Sequence, residues 1–149
     1  MSELFLVPDW PVPTNVKALI TTRNGGVSEP PFDSFNLGLH VGDDEKAVNQ
    51  NHSLLREAAG SEIVSQWVKQ VHDNHVINVH DELVEESTEA DAIYTQRDNV
   101  ACGVLTADCM PVFLCDKKGT VVGIAHAGWR GLVGGVIEKI EVLDSIIRE

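Results

Sequence analysis

The chain is short of basic residues, cysteines and long apolar runs, and each shortage removes a class of function. Lys and Arg number 11 against 23 Asp and Glu, for a formal net charge of −12. Such a field repels polyanions and lacks the cationic surface whose counterion release drives nucleic-acid binding, so neither nucleic acid nor an anionic membrane is expected as a partner. No apolar stretch approaches the roughly 20 residues of a membrane span. The opening Met1-Ser2-Glu3-Leu4-Phe5 has an acid where a secretory signal carries bases, and no small-residue cleavage pattern follows, so a cytoplasmic location is expected. The three cysteines, Cys102, Cys109 and Cys115, are an odd number in a chain read as unexported, which points to reduced thiols rather than a disulfide framework. Internal repeats and low-complexity tracts are also missing.

What is present is the balance of a soluble globular protein: 149 residues, 43% hydrophobic and 23% charged. That length supports one folding unit with a real core, and nothing reads as a linker. Val7-Pro8-Asp9-Trp10-Pro11-Val12-Pro13 is extended, because each proline disfavours the helical region in its predecessor. Residues 16–22 read as a strand ended by Gly25-Gly26, and residues 28–43, with Pro30, Pro31, Gly38 and Gly42, as a long ordered loop of the kind that often carries function. Ala47, Val48, Leu54, Leu55 and Ala58 recur at helical spacing between Asp44 and Ala59, and Gly60 supplies the stop. Strands are expected over 63–71 and 75–79, then a solvated acidic connection over 81–89, then an ordered element opening at Asp91-Ala92-Ile93-Tyr94. Three β-rich runs, 100–105, 111–115 and 120–125, predict adjacent strands of a buried sheet. Leu132, Val136, Ile140, Leu143 and Ile147 predict an amphipathic helix over 132–147. The expected fold is α+β, a mixed α/β layered domain whose mixed β-sheet core is flanked by helices near 44–59 and 131–148.

The chemistry concentrates in Thr106-Ala107-Asp108-Cys109 and His126-Ala127-Gly128-Trp129-Arg130-Gly131, with Gln70-Val71-His72 upstream. Together Cys109, His72 and His126 offer one thiolate and two imidazoles, a donor set that suits a divalent transition metal and leaves a fourth tetrahedral position open. The alternative readings are a buried inert thiol and two satisfied histidines, since the three residues lack the short ligand pairs of a specific zinc signature. Asp108 could accept a proton or orient an imidazole, or simply hold a turn. His75 and His80 read as decoys, and Cys102 and Cys115 as core. Gly128, Gly131, Gly134 and Gly135 around Trp129-Arg130 suit either a phosphate seat at a helix start or a tight junction with Trp129 in the core and Arg130 outside. Arg23, beside Gly25-Gly26, has the same two readings.

Several motifs in order carry a resemblance. Thr21-Thr22-Arg23-Asn24-Gly25-Gly26-Val27-Ser28, Pro31-Phe32-Asp33-Ser34-Phe35-Asn36-Leu37-Gly38, His40-Val41-Gly42-Asp43, Gln70-Val71-His72, Ala90-Asp91-Ala92, Thr106-Ala107-Asp108-Cys109-Met110-Pro111 and His126-Ala127-Gly128-Trp129-Arg130-Gly131 resemble the bacterial laccase-domain family, described as polyphenol oxidases and as purine nucleoside phosphorylases. The resemblance implies zinc ligands at His72, Cys109 and His126. It also implies phosphorolysis of adenosine, inosine, guanosine and methylthioadenosine, deamination of adenosine, and small-molecule partners that are purine nucleosides and phosphate. Within that scheme Asp108 could assist departure of the base while Arg130 or Arg23 positions phosphate. Two positions depart from the usual pattern: Asp73 stands where the family has Gly, and His52 where it has Arg. Family members continue well beyond the last helix, so the chain is expected to lack a C-terminal portion of the domain. A copper-dependent phenol oxidase, a cysteine hydrolase using Cys109 with His126, and an inactive metal-binding scaffold are the competing readings. The first is confined to single-site Cu2+ chemistry, because the six histidines include no His-x-His pair of the kind a four-copper site draws on.

Overall fold

The computed structural model describes residues 4–140. They fall into two compact units: residues up to Pro11 together with Lys17–Ile63, and Val12–Val16 together with the residues from Val64 onward.

In the first unit, β1 (Phe5–Leu6) and β2 (Ile20–Thr21) form a short antiparallel pair, so only the end of the strand expected over 16–22 is realised. Helix α1 (Glu45–Ala59) runs where its periodicity places it. The Asp44 carboxylate accepts from the Lys46 N–H at the free N-terminus, and Gly60, at φ 119°, ends the helix as its own N–H donates to the Arg56 carbonyl. The buried face of α1 carries Val48, Asn51 and Leu55, and the polar member of that set organises the loop over 22–43. Asn51 Oδ1 accepts from Val27 N–H at 2.9 Å, while Nδ2 donates to Ser28 Oγ, Ser34 O and Asn36 O at 2.9, 3.3 and 2.8 Å. One amide thereby meets backbone groups that a loop without regular structure would otherwise leave unpaired. Asp43 extends the network, accepting from Ser28 Oγ at 2.6 Å and Asn36 Nδ2 at 3.0 Å. These bonds to the charged form hold its carboxyl below the usual value. The His52 position, unusual for the family it resembles, is also used: Nε2 lies 2.8 Å from the Leu37 carbonyl, which can only accept, so the ring nitrogen donates.

In the second unit, β3 (Val64–Gln66), β4 (Val76–Asn78), β5 (Ala92–Thr95), β6 (Val100–Cys102), β7 (Met110–Cys115) and β8 (Val122–Ala127) build two sheets. A four-stranded sheet has the order β4-β5-β8-β7, with β4 parallel to β5 and the other pairs antiparallel. The mixed sheet is the α+β architecture expected. The central strand β5 is buried throughout and shares its faces between two clusters. Ala92 and Tyr94 join Val121, Ala125, Ala127, Val136 and Ile140, while Ile93 joins Val68, Val79 and Ala90, as strand alternation requires. The turn between β7 and β8 is closed by Asp116, whose carboxylate accepts from the Thr120 and Val121 N–H groups and the Thr120 hydroxyl.

Two expectations change. The run beginning at Val100 does not join β7 and β8; β6 pairs in parallel with β3 in a separate two-stranded sheet. A short apolar, β-rich run marks a strand but says nothing of its neighbour. The closing helix is interrupted: α2 (Trp129–Val133) stops at Gly134-Gly135, where Gly135 has φ 81°, and residues 136–140 are helical again. Val136 and Ile140 are buried, but Leu132, before the break, is exposed. The expected positions Leu143 and Ile147 lie outside the described residues. No helix among the described residues is long and apolar enough to cross a membrane.

Two outcomes test this account of the first unit. Asn51→Ala leaves several buried donors and acceptors unpaired and is expected to destabilise that unit by about 2–4 kcal/mol in urea unfolding. Because Asp43 titrates lower in the native state than in the unfolded chain, its contribution to stability is complete above the ordinary value of 3.8 and disappears as pH falls through the native one. Unfolding midpoints between pH 5 and pH 3 are therefore expected to fall less steeply in Asp43→Asn than in the parent.

Candidate metal centre

The β7–β8 register sets the site. Met110 pairs with Ala127, so Cys109, one residue before β7, comes opposite Gly128, one residue after β8. A methyl group at Gly128 would lie 3.0 Å from Cys109 Sγ and 3.6 Å from His72 Cδ2, closer to the sulfur than ordinary packing allows. Glycine there gives the thiol and the imidazole room to approach the end of β8. The chain around His72 reaches them through Gln70, whose amide pairs with the Leu105 backbone in both directions at 2.7 Å and so fastens the segment before His72 to the one before Cys109.

The donor atoms of His72, Cys109 and His126 all lie within 4.8 Å of one another, and this is the group of three or more His, Cys, Asp or Glu found among the described residues. The two rings meet edge to face with centroids 4.9 Å apart. An ion about 2.0–2.3 Å from each donor needs them spaced by roughly 3.5 Å, so binding one would draw the more widely separated donors closer together. His126 is buried, Cys109 half-buried and His72 exposed, so the group opens to one side. That suits a centre that keeps a coordination position for a reactant.

A residue that sequence reasoning did not place in the site stands behind it. Asp91 is buried completely; its Oδ1 accepts from the Val71 and Asp73 N–H groups and its Oδ2 from the His72 N–H, each at 3.0 Å, and Oδ2 lies 2.8 Å from His126 Nδ1. Burial pushes this carboxyl up, but the bonds from His126 and the three backbone groups outweigh it and hold it below the ordinary carboxylate value. The departure at Asp73 leaves that cradle intact, since it is the backbone N–H of residue 73 that is used while its carboxylate accepts from Asn74 N–H.

The remaining candidates are scattered. Asp108 is exposed beside Cys109. Arg130 lies in the same unit, its guanidinium 4.8 Å from the centre of the Trp129 ring, and Trp129 is 69% exposed, which removes the reading that buries it in the core. Arg23 belongs to the first unit, where Nε donates to the Asp33 carbonyl and NH2 pairs with the Asp33 carboxylate at 3.5 Å. His75 and His80 are exposed and outside the donor group.

With this geometry, the similarity to known proteins becomes specific. The family described as multi-copper polyphenol oxidoreductase laccase matches residues 17–145, a span that contains all three donors and Asp91. The chain belongs to that family. It is 48% identical over 134 residues to a purine nucleoside phosphorylase of Pseudomonas aeruginosa, covering 90% of this chain and 53% of the relative. It is 46% identical over 139 residues to the purine nucleoside phosphorylase YfiH of Escherichia coli, covering 93% and 56%. Among solved structures, a Neisseria meningitidis protein superposes with a TM-score of 0.85 at 46% identity over 94% of this chain and 57% of that one. YlmD from Geobacillus stearothermophilus gives 0.73 at 34% identity, over 83% and 49%. The chain thus spans about half the length of the curated relatives it matches.

The thiols of this laccase-family chain differ in a way that can be checked directly. Cys102 packs against the Val68, Val79, Ala90 and Ile93 cluster, and burial pushes its thiol up to about 12. Iodoacetamide at pH 8 is expected to modify Cys109 well before Cys102 in metal-free protein, and added zinc to protect Cys109 selectively, as read by peptide mapping.

Proposed function

We infer that His72, Cys109 and His126 are the ligands of a catalytic divalent metal, Zn2+ in the first instance, in one laccase-type domain that processes purine nucleosides. The observation that carries this reading is the convergence of one thiolate and two imidazoles within 4.8 Å on an open face. The relatives named purine nucleoside phosphorylase support phosphorolysis of purine nucleosides as the reaction class. Adenosine, inosine, guanosine and methylthioadenosine as its substrates, and adenosine deamination on the same centre, are what the family resemblance adds. In phosphorolysis the bond from the ribose C1′ to the base nitrogen breaks, a phosphate oxygen bonds C1′, and the departing base takes up a proton. A bound ion supplies Lewis acidity and a site for an oxygen ligand. Asp108, exposed next to Cys109, is the candidate to hold a proton for the leaving base. Arg130, in the same unit as the three donors, is the candidate cation for phosphate. We place the reaction in the cytoplasm.

A second reading, phenol oxidation at a single Cu2+, is favoured by the description of the family and by copper's higher affinity for nitrogen and sulfur donors. The decisive experiment combines metal analysis with phosphate-dependent release of hypoxanthine from inosine in the full-length protein. Cys109→Ala is expected to abolish bound zinc and turnover together, a larger effect than the roughly 10–100-fold loss typical of changes outside the ligand shell. Turnover retained in that variant defeats the assignment. Activity that survives chelation but is lost on thiol alkylation would instead assign the cysteine-hydrolase chemistry.

A further inference from the structure

One oxygen atom connects the two imidazoles. Asp91 Oδ2 accepts the backbone N–H of His72 and meets the ring Nδ1 of His126, while Oδ1 takes the N–H groups on either side of His72. With two contacts on each oxygen, three of them from N–H groups that can only donate, the carboxylate has no proton to give, so His126 Nδ1 must donate as well. The main chain repeats the tie, since the Asp91 carbonyl accepts from His126 N–H at 2.7 Å. At φ 59° His72 sits in the left-handed region, uncommon for a residue with a side chain, and three successive N–H groups closing on one carboxylate are what hold it there. A buried carboxylate is an expensive way merely to anchor a loop.

We propose that Asp91 is the positioning residue of this centre: it fixes His126 as the Nδ1–H tautomer, presenting the Nε2 lone pair to the ion, and with the same oxygen holds the backbone of His72 so that both rings aim at one point. The proposal rests on the metal-ligand reading above but concerns a residue outside the ligand set. An amide cannot reproduce the arrangement. If Asn turned its oxygen toward His126 and the His72 N–H, its NH2 would face the Val71 and Asp73 donors. Turned the other way, its NH2 would face the ring and force His126 to carry its proton on Nε2, the nitrogen that must stay bare.

The test uses the intact protein, metal-free and labelled with 15N, with His126 assigned through His126→Gln. Long-range proton–nitrogen correlation spectra at pH 8 are expected to show a protonated Nδ1 and a bare Nε2 on His126. Asp91→Asn is expected to bind zinc about 10–100-fold more weakly in competition with a chromophoric chelator. It should also move the His126 proton toward Nε2 while keeping a cooperative unfolding transition. A parent protein with its His126 proton on Nε2 overturns the proposal whether or not zinc binds, and that measurement decides alone if Asp91→Asn does not fold. A folded Asp91→Asn protein with parental zinc affinity also overturns it. Failure of the parent to bind zinc, with the Nδ1–H tautomer present, would sink the ligand reading and leave the tautomer-setting role standing.

Discussion

An ionised carboxylate taken out of water must have its lone pairs occupied, and around Asp91 that requirement sets where the surrounding segments lie. Its four partners come from the 71–73 segment and the end of β8, while its own backbone opens β5. Moving any one of these segments would leave a donor or a lone pair buried and unmatched, at about 1–3 kcal/mol or more for each group. The donor group inherits this arrangement. His72 and His126 are fixed through Asp91, and Cys109 is fixed through the β7–β8 register and the gap left by Gly128.

The first unit follows the same logic with a neutral group. Asn51, on the buried face of α1, satisfies the loop over 22–43 from within, so a segment without strand or helix holds a defined course. In each unit a polar side chain that is completely buried organises irregular backbone, which apolar packing cannot do because it has no direction.

Elements whose signals are local were legible in the sequence. Asp44 and Gly60 bracket a 3.6-residue period, and α1 lies between them; Lys117-Lys118-Gly119 marks the turn between β7 and β8. Long-range pairing was not legible, because the apolar run Val100–Cys102 suits a place beside β7 as well as one beside β3. The break in the helix is hidden for a different reason: Leu132, Val136 and Ile140 keep helical spacing across Gly134-Gly135, and the period conceals a break that the two glycines signal. For the site, residue chemistry alone brought Cys109, His72 and His126 into view, and their convergence is a property of the folded sheet. Asp91 also carries a usable signal. An acid between Ala90 and Ala92, opening an apolar run, has little reason to be there unless it is buried and partnered.

The three donors sit on segments far apart along the chain and meet only once β5, β7 and β8 are paired. The unfolded polymer presents no comparable cluster, so an ion captured there favours the native state by mass action, by about 2.7 kcal/mol when its free concentration is a hundred times the dissociation constant. Survival of the polypeptide against proteolysis would then track the supply of that ion.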